Sequence, residues 1–528
     1  MDPVDFRQTA GIVKNFKKAG GEGQRLNREL ERCVQKEDTL FRLIPYTEDW
    51  YLDIRDPLPI NINPFYVLKQ NLHQQTDSQI QRAAALIISA LRFKAQIHKD
   101  DLEPDTIKGI PLCMHQYQRL FSSCRVPGTG CDTYRSPVSA SDPTSFQETH
   151  VAVFCNSRIF TLTTYSPDGR LRSLQAISKD LAAIKSQAAN AAPAHPALGL
   201  LTTMDRDTWA EARQRLAAID DENRKNLDVI ERALFVLCLD DRCPEDIVSQ
   251  ARMMFHGNGK NRWFDKLFQI IVGGNAQAGL CYEHSHIDGS VIIRLVRFLH
   301  EDNAGALDGS SQAAQPPREL RFKIDARIMD TVGKALDQFD EQVRQNHLRV
   351  LTFDHFGENA IKAMGVSPDA FVQLALQLAQ YRLWGRHCTI CESVLMRKFL
   401  HGRTEVFQTI SPASQRFVLA MGTQGLAANQ KIEYLQEAAH THLRHIAQCM
   451  DGQGVEGHLS ALLTTYRLRG MALGIATPPK LFCDAGWPTL TRAVFSTSTT
   501  RSIGVKLVGF GPVVDNGFGI RYGRESDR

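Results

Sequence analysis

The sequence has little excess charge of either sign: 62 lysines and arginines stand against 58 aspartates and glutamates, a formal net charge of +4 over 528 residues. So thin an excess excludes a binder built around a nucleic-acid-wide basic surface, while leaving room for a local cationic pocket. Long apolar runs are also missing. The longest, around Ala83 to Leu91, is about half of the ~20 residues a membrane span requires. Twelve cysteines occur without regular spacing, several inside apolar runs such as Leu237-Cys238-Leu239, which argues against a disulfide framework and for a reducing compartment. No secretory signal opens the chain, the end Glu525-Ser526-Asp527-Arg528 is not a peroxisomal tail, and the amphipathic start from Phe6 to Phe16 carries Asp2 and Asp5 nearby. The cytoplasm is the expected location. A chain this long exceeds the roughly 250–300 residues that one core organises, so two domains are expected.

Periodicity places the elements. Ile12 and Phe16, then Ile80, Ala84, Ile87 and Leu91, recur at helical steps, and the Pro/Asn segment Asp56 to Pro64 between them should be extended. Val151 to Cys155 and Ile159 to Leu162, joined by Asn156-Ser157, form a predicted β-hairpin. Helices are predicted over about 173–190 and over Arg206 to Ile219, followed by a buried apolar stretch from Glu231 to Asp240. Leu280 to His284 reads as a strand and Val291 to Leu299 as a helix. Glu301 to Pro317, rich in Gly, Ser, Ala, Gln and Pro, is the best linker, which sets domains of 1–318 and 319–528. Beyond it, helices (Asp325 to Gln345, Pro368 to Leu383) and strands (Leu348 to Phe353, Val505 to Gly509) mix again, so both halves should be α/β.

The most informative segment is Tyr282-Glu283-His284-Ser285-His286-Ile287-Asp288-Gly289, at a strand end before a helix. Three readings stand. His284 could be a satisfied structural residue. His284, His286 and Asp288 could alternate onto one side of the strand as metal ligands. Or His284 could be a general base, since a neutral imidazole can take a proton from a hydroxyl or thiol as it attacks a carbonyl. Two other groups carry weaker signals. Cys388-x-x-Cys391 is a single pair with no second pair for zinc. His440, His442, His445 and Cys449 lie along one helix and read as surface residues. Gly509-Phe510-Gly511-Pro512 is no nucleotide fingerprint, because Pro512 forbids the helix that would follow.

The His-x-x-x-Asp-Gly spacing resembles the motif of the chloramphenicol-acetyltransferase-like superfamily. Flanking blocks extend the resemblance to the carnitine/choline acyltransferase family, and they stand in family order. They include Pro111-Leu112-Cys113-Met114, Ser123-Cys124-Arg125-Val126-Pro127-Gly128, Arg206-Asp207-Thr208-Trp209, Asn261-Arg262-Trp263-Phe264-Asp265-Lys266, Ser367-Pro368-Asp369-Ala370-Phe371, Gly402-Arg403-Thr404, Ser496-Thr497-Ser498 and Phe510-Gly511-Pro512. The resemblance implies two chloramphenicol-acetyltransferase-like α/β domains with an active-site tunnel between them, and direct transfer in a ternary complex. It implies His284 as the base, Ser498 as the oxyanion donor and Asp288 as the residue holding the imidazole, through an Arg.

It also implies acyl-CoA as co-substrate, with no bound cofactor or metal, a small hydroxylated acceptor, and a monomer. On the CoA side fall Lys362 and Asp369, but the family's other two lysine positions carry Glu358 and Gly365. That thinning of charge opposite the phosphates keeps a phosphopantetheine-bearing carrier protein open as donor. On the acceptor side Thr404 and Ser496 match, while Cys391 replaces a Tyr and Gly457 replaces an Arg. A carboxylate acceptor such as carnitine would then need Arg467 or Arg469 to supply the missing charge. Val508 stands where the acyl tunnel is set and should admit only a short or branched acyl group. Family members continue beyond Gly517-Phe518-Gly519-Ile520 with a further strand and a long helix, which leaves two alternatives open: an acyltransferase with a non-carnitine acceptor, as in secondary metabolism, or an inactive binding protein.

Overall fold

The computed structural model describes residues 3–36, 48–73, 75–99, 101–137, 148–190, 196–306, 309–310, 314–499 and 503–524. In chain order the strands that build its two larger sheets are β1 (Phe65–Leu68), β2 (His150–Cys155), β3 (Arg158–Thr163), β4 (Val236–Leu239), β5 (Phe268–Val272), β6 (Ala278–Tyr282), β7 (Arg318–Glu319), β8 (Ile390–Leu395), β9 (Thr404–Gln408), β10 (Phe495–Thr499), β11 (Val505–Gly509) and β12 (Phe518–Tyr522). An eight-stranded mixed sheet runs β7-β3-β2-β4-β5-β6-β1-β11, and a four-stranded one runs β9-β8-β10-β12. The predicted hairpin is β2–β3, and the predicted strand Val505 to Gly509 is β11.

Alternation along the strands explains why the large sheet is covered on both faces. Val151 and Val153 of β2 join one apolar cluster with Leu237, Ile270 and Leu280, under helix α1 (Gln79–His98) and helix α2 (Gly289–Glu301). Ala152 and Phe154 point the other way, into a second cluster with Val236, Ile271, Trp209 and Phe339. Helix α1 is capped by Ser78, whose side chain accepts from the Gln81 N–H, and is buried around most of its girth, as its run of Ala, Leu and Ile requires. The predicted helix Arg206–Ile219 forms as expected, with Asp205 as its N-cap.

The chain divides into two compact units, one of residues 52–351 with 502–511, the other of 1–51 with 352–501 and 512–528. The expected boundary at 318/319 therefore falls inside a unit. Arg318 and Glu319 pair with Thr161 and Phe160 as a sheet strand, and the helix Ala326–Gln345 puts Ile328, Val332, Ala335 and Phe339 into the same core. The loop before them is an excursion within that unit, with 307–308 and 311–313 outside the described residues. The first helices group with the C-terminal half because Phe16, Leu26 and Leu30 pack on Ala461, Leu462 and Ile475, while Arg25 donates to the Leu473 carbonyl at 2.8 Å.

Two local expectations fail. Leu348 to Phe353 is not a strand: it has no pairing partner, leaves Leu351 90% exposed, and is where the chain passes from one unit to the other. The segment Asp56 to Pro64 is folded into turns, the Ile62 N–H reaching the Leu58 carbonyl at 3.0 Å, with Ile60 at φ +70°. Its prolines fix only their own φ and leave Ile60 and Ile62 free to turn the chain. No helix among the described residues is long and apolar enough to cross a membrane.

Candidate active site

Strand β6 ends at Tyr282, and the six residues to the start of α2 form a tight corner. From Cys281 to Asp288 every residue is buried except His284, which is half-buried. Its Nδ1 lies 2.8 Å from the Ile287 carbonyl. A carbonyl only accepts, so Nδ1 carries a proton, and in the neutral form of the ring the lone pair is on Nε2. That is the tautomer a general base needs. The Tyr282 ring packs edge-on against the imidazole at 5.5 Å.

Asp288 precedes α2 but does not cap it through its side chain. Its carboxylate instead accepts from Gln116 Nε2 at 2.7 Å while its own N–H donates to Gln116 Oε1 at 2.8 Å, a two-bond clamp that holds the far end of the corner. His286 points elsewhere: its Nδ1 meets Arg119 at 2.8 Å and its ring stacks on Tyr134. The three alternating residues thus take three separate sets of partners, and the ligand arrangement of the metal reading does not form.

Beneath the corner lies a buried ionic lattice. Glu283 accepts from the Ser285 N–H and from its hydroxyl at 2.6 Å, and meets Arg125 at 3.4 Å. Arg125 pairs with Asp132 at 2.5 Å, Asp132 with Arg206 at 2.7 Å and with Arg55 at 3.0 Å, and Arg206 with Asp265 at 2.7 Å. Trp209 Nε1 donates to Asp265 at 2.6 Å. Burial pushes Asp132 up, but the guanidiniums of Arg206 and Arg125 outweigh it and hold the carboxyl below the usual range. Burial dominates at Asp265 and raises it. Arg125, Arg206, Trp209, Asp265 and Glu283 sit in the blocks quoted from the sequence, whereas Arg55 and Asp132 lie outside them; charged residues embedded in otherwise apolar blocks are the available signal.

The remaining candidates on the second unit divide between two faces of one sheet. Cys391 of β8 is in register with Ser496 of β10 and with Gln408 of β9, and Leu395 with Thr404. By alternation Cys391, Thr404, Gln408, Ser496 and Ser498 share one face, so four predicted acceptor-side or oxyanion residues come together there. Burial pushes the Cys391 thiol up to about 12, which makes it a small apolar group at neutral pH. Gly457 opens helix α5, numbered after α3 (Pro368–Trp384) and α4 (Ala428–Met450), which spans Glu456–Arg469. Its N–H donates to Glu405 at 3.0 Å, and a Cβ at that position would stand 2.8 Å from the same carboxylate. Glu456, 3.3 Å from Gln408, is pushed up to about 7 by burial and the neighbouring Glu405. Arg467 and Arg469 lie in the last turn of α5, roughly 15 Å along the axis from Gly457. They do not replace the missing arginine.

Lys362 is exposed and bonded to Glu358 at 3.1 Å, one turn away. Gly365 takes φ +71°, a conformation that resists a lysine side chain. Asp369 lies in the first turn of α3, where its carboxylate accepts from Arg524 at 2.8 Å and from the Tyr522 hydroxyl at 3.0 Å. Val508 pairs with Tyr66, which pairs with Leu280, so it lies two strands from the β6 that leads into His284. It is half-buried against the α1–α2 side of that sheet.

One reading of the helix histidines needs correction. His440 is exposed, but His442 is 4% exposed and stands 3.2 Å from Glu392 and 3.6 Å from Asp369. Its partners come from two other elements, which a pattern within α4 does not reveal. These three are the group among the described residues that could gather round a cation. Burial pushes His442 down, but the two carboxylates more than offset it and raise it to about 9. The imidazolium together with Arg524 already balances both acids, so a divalent ion would have to displace a firmly held proton. Cys388 and Cys391 are both free thiols.

A mixed α/β protein with a half-buried histidine in the corner at one strand end and a hydroxyl-lined sheet face in its other unit has the parts expected of an acyl-transfer enzyme. The chain belongs to the choline/carnitine O-acyltransferase family, whose model matches residues 1–528. It is 33% identical to carnitine O-acetyltransferase of Mus musculus, covering 98% of this chain and 83% of that one. It is also 33% identical to choline O-acetyltransferase of Mus musculus over 98% and 82%, and to carnitine O-acetyltransferase of Columba livia over 98% and 82%.

Proposed function

We propose that the protein moves a short acyl group from acyl-CoA to the oxygen of an alcohol, with His284 as general base. The observation that carries this reading is the Ile287 carbonyl on His284 Nδ1, which sets the tautomer of the neutral ring with its lone pair on Nε2, on the one half-exposed side chain of the corner. Nε2 takes the acceptor's hydroxyl proton as the oxygen attacks the thioester carbonyl. The Ser498 hydroxyl donates to the oxyanion of the tetrahedral intermediate. The C–S bond breaks, and His284 returns the proton to the departing thiolate, so no acyl-enzyme forms. Asp288, through Gln116, keeps the corner in place. Lys362 belongs to the CoA side and Val508 limits the acyl chain, while Asp369, whose carboxylate is taken by Arg524 and Tyr522, is assigned no CoA contact.

The acceptor is an alcohol that need not bear a carboxylate. Carnitine is family-typical, and Thr404 suits it, but the corner where an arginine would meet the carboxylate holds Gly457 between Glu405 and Glu456. Among the described residues no cation pairs with Glu405 or Glu456 to offset a third carboxylate there. The test is a transfer assay with acetyl- and propionyl-CoA against a panel of hydroxylated metabolites, read by the mass of the acylated product. Wild type should turn over and His284→Ala should lose about 10²–10⁴-fold. Equal turnover in the two proteins sinks the reading.

A further inference from the structure

The sheet face that carries Ser498 has a back, and the back is wired. Thr497, between Ser496 and Ser498, points away from them. Its hydroxyl donates to the Cys391 carbonyl at 2.7 Å and accepts from Gln373 Nε2 at 2.8 Å. The same Gln373 nitrogen donates to the Tyr522 hydroxyl at 3.0 Å, and Tyr522 donates to Asp369 at 3.0 Å. Asp369 and Glu392 flank His442, and Glu392 is the register partner of Thr497. The circuit therefore closes on β8, the strand paired with the one where it began.

Its directions are fixed. The Asp369 carboxylate only accepts, so Tyr522 must donate to it and receive from Gln373; both N–H groups of Gln373 are then committed, and Thr497 must donate onward to Cys391. The amide is held this way round although Gln373 Oε1 is buried without a partner. We propose that the Asp369–Glu392–His442 triad is a charge lock behind the sheet, and that Gln373 and Tyr522 are positioning residues that carry its geometry to the strand presenting the Ser498 hydroxyl. The inference rests on the acyl-transfer reading above for its consequence in turnover, and on the circuit alone for its consequence in β10.

The test uses Gln373→Leu and Tyr522→Phe in the full chain, which spare the buried charges. Each should lower kcat about tenfold while leaving both KM values within about twofold, because the oxyanion contact is made in the transition state. In a Ser498→Ala background the same substitutions should cost less than about twofold, since the hydroxyl they position is gone. Amide hydrogen exchange of the peptide covering β10 should quicken about tenfold, with the β5 peptide unchanged. Additive losses, or full turnover despite faster exchange, overturn the positioning role; unchanged exchange in both variants overturns the lock itself. A wild type that acylates no alcohol sinks the function reading instead, while the exchange data still judge the lock.

Discussion

Two corners of the molecule balance charge in opposite ways. Under His284 three guanidiniums, Arg55, Arg125 and Arg206, meet three carboxylates, Asp132, Asp265 and Glu283, in a lattice buried among apolar side chains. Around Gly457 two carboxylates, Glu405 and Glu456, share the Gln408 amide and the Gly457 N–H, and burial pushes both up. The first arrangement fixes a backbone corner, so that one imidazole faces outward in one tautomer. The second leaves a pair of acids able to change its net charge near neutral pH, with no ion pair to either acid among the described residues. The proposed base and the proposed acceptor corner belong to different compact units of the chain.

Breaking the first corner should have the largest effect. Arg125→Leu leaves Glu283 and Asp132 short of a cation in a dry site and should cost about 3–5 kcal/mol in chemical denaturation. A loss below about 1 kcal/mol would show that the lattice is incidental to the fold. The second corner should respond to pH. Glu456 has a folded value raised to about 7, so its contribution to stability is fully present below its unfolded value near 4.3 and is lost as pH rises through 7. Glu456→Gln should therefore stabilise the protein by on the order of 2 kcal/mol at pH 8, with the gain gone by about pH 4.5. A gain that does not vary with pH would place the effect in packing. The smallest effect concerns the donor. With Lys362 paired to Glu358 and Gly365 unable to take a lysine without strain, CoA and 3′-dephospho-CoA should bind within about tenfold of each other in side-by-side titrations. A larger preference for CoA would reveal cations that replace the missing pair.

Much of this was legible before any coordinates, for identifiable reasons. The hairpin at 150–163, the helix Arg206–Ile219 and the strand Val505–Gly509 rest on local alternation or capping, which the chain carries on its face. The His284 corner was legible because its motif and its flanking strand and helix are contiguous. What escaped was non-local. Leu348 to Phe353 has strand composition but no partner to pair with. Arg318-Glu319 looked like the far side of a linker because its partner strand, β3, lies far back in the chain. His442 looked like one of several surface histidines because both its acids belong to other elements. The Arg125–Asp132–Arg206–Asp265 lattice draws on three separate segments, and the pairs that join Asp132 to Arg206 and Arg206 to Asp265 show in none of them alone.

The most direct test of the account compares two alcohols that differ in the carboxylate. Carnitine and choline share a quaternary ammonium and a hydroxyl, and kcat/KM for each with acetyl-CoA should be measured in wild type and in His284→Ala. Wild type should favour the carboxylate-free alcohol by at least about tenfold, because no described cation pairs with Glu405 or Glu456 to offset desolvation of the anion, and His284→Ala should lose both reactions. Preference for carnitine with a KM in the usual ~1 μM to 1 mM range would contradict it.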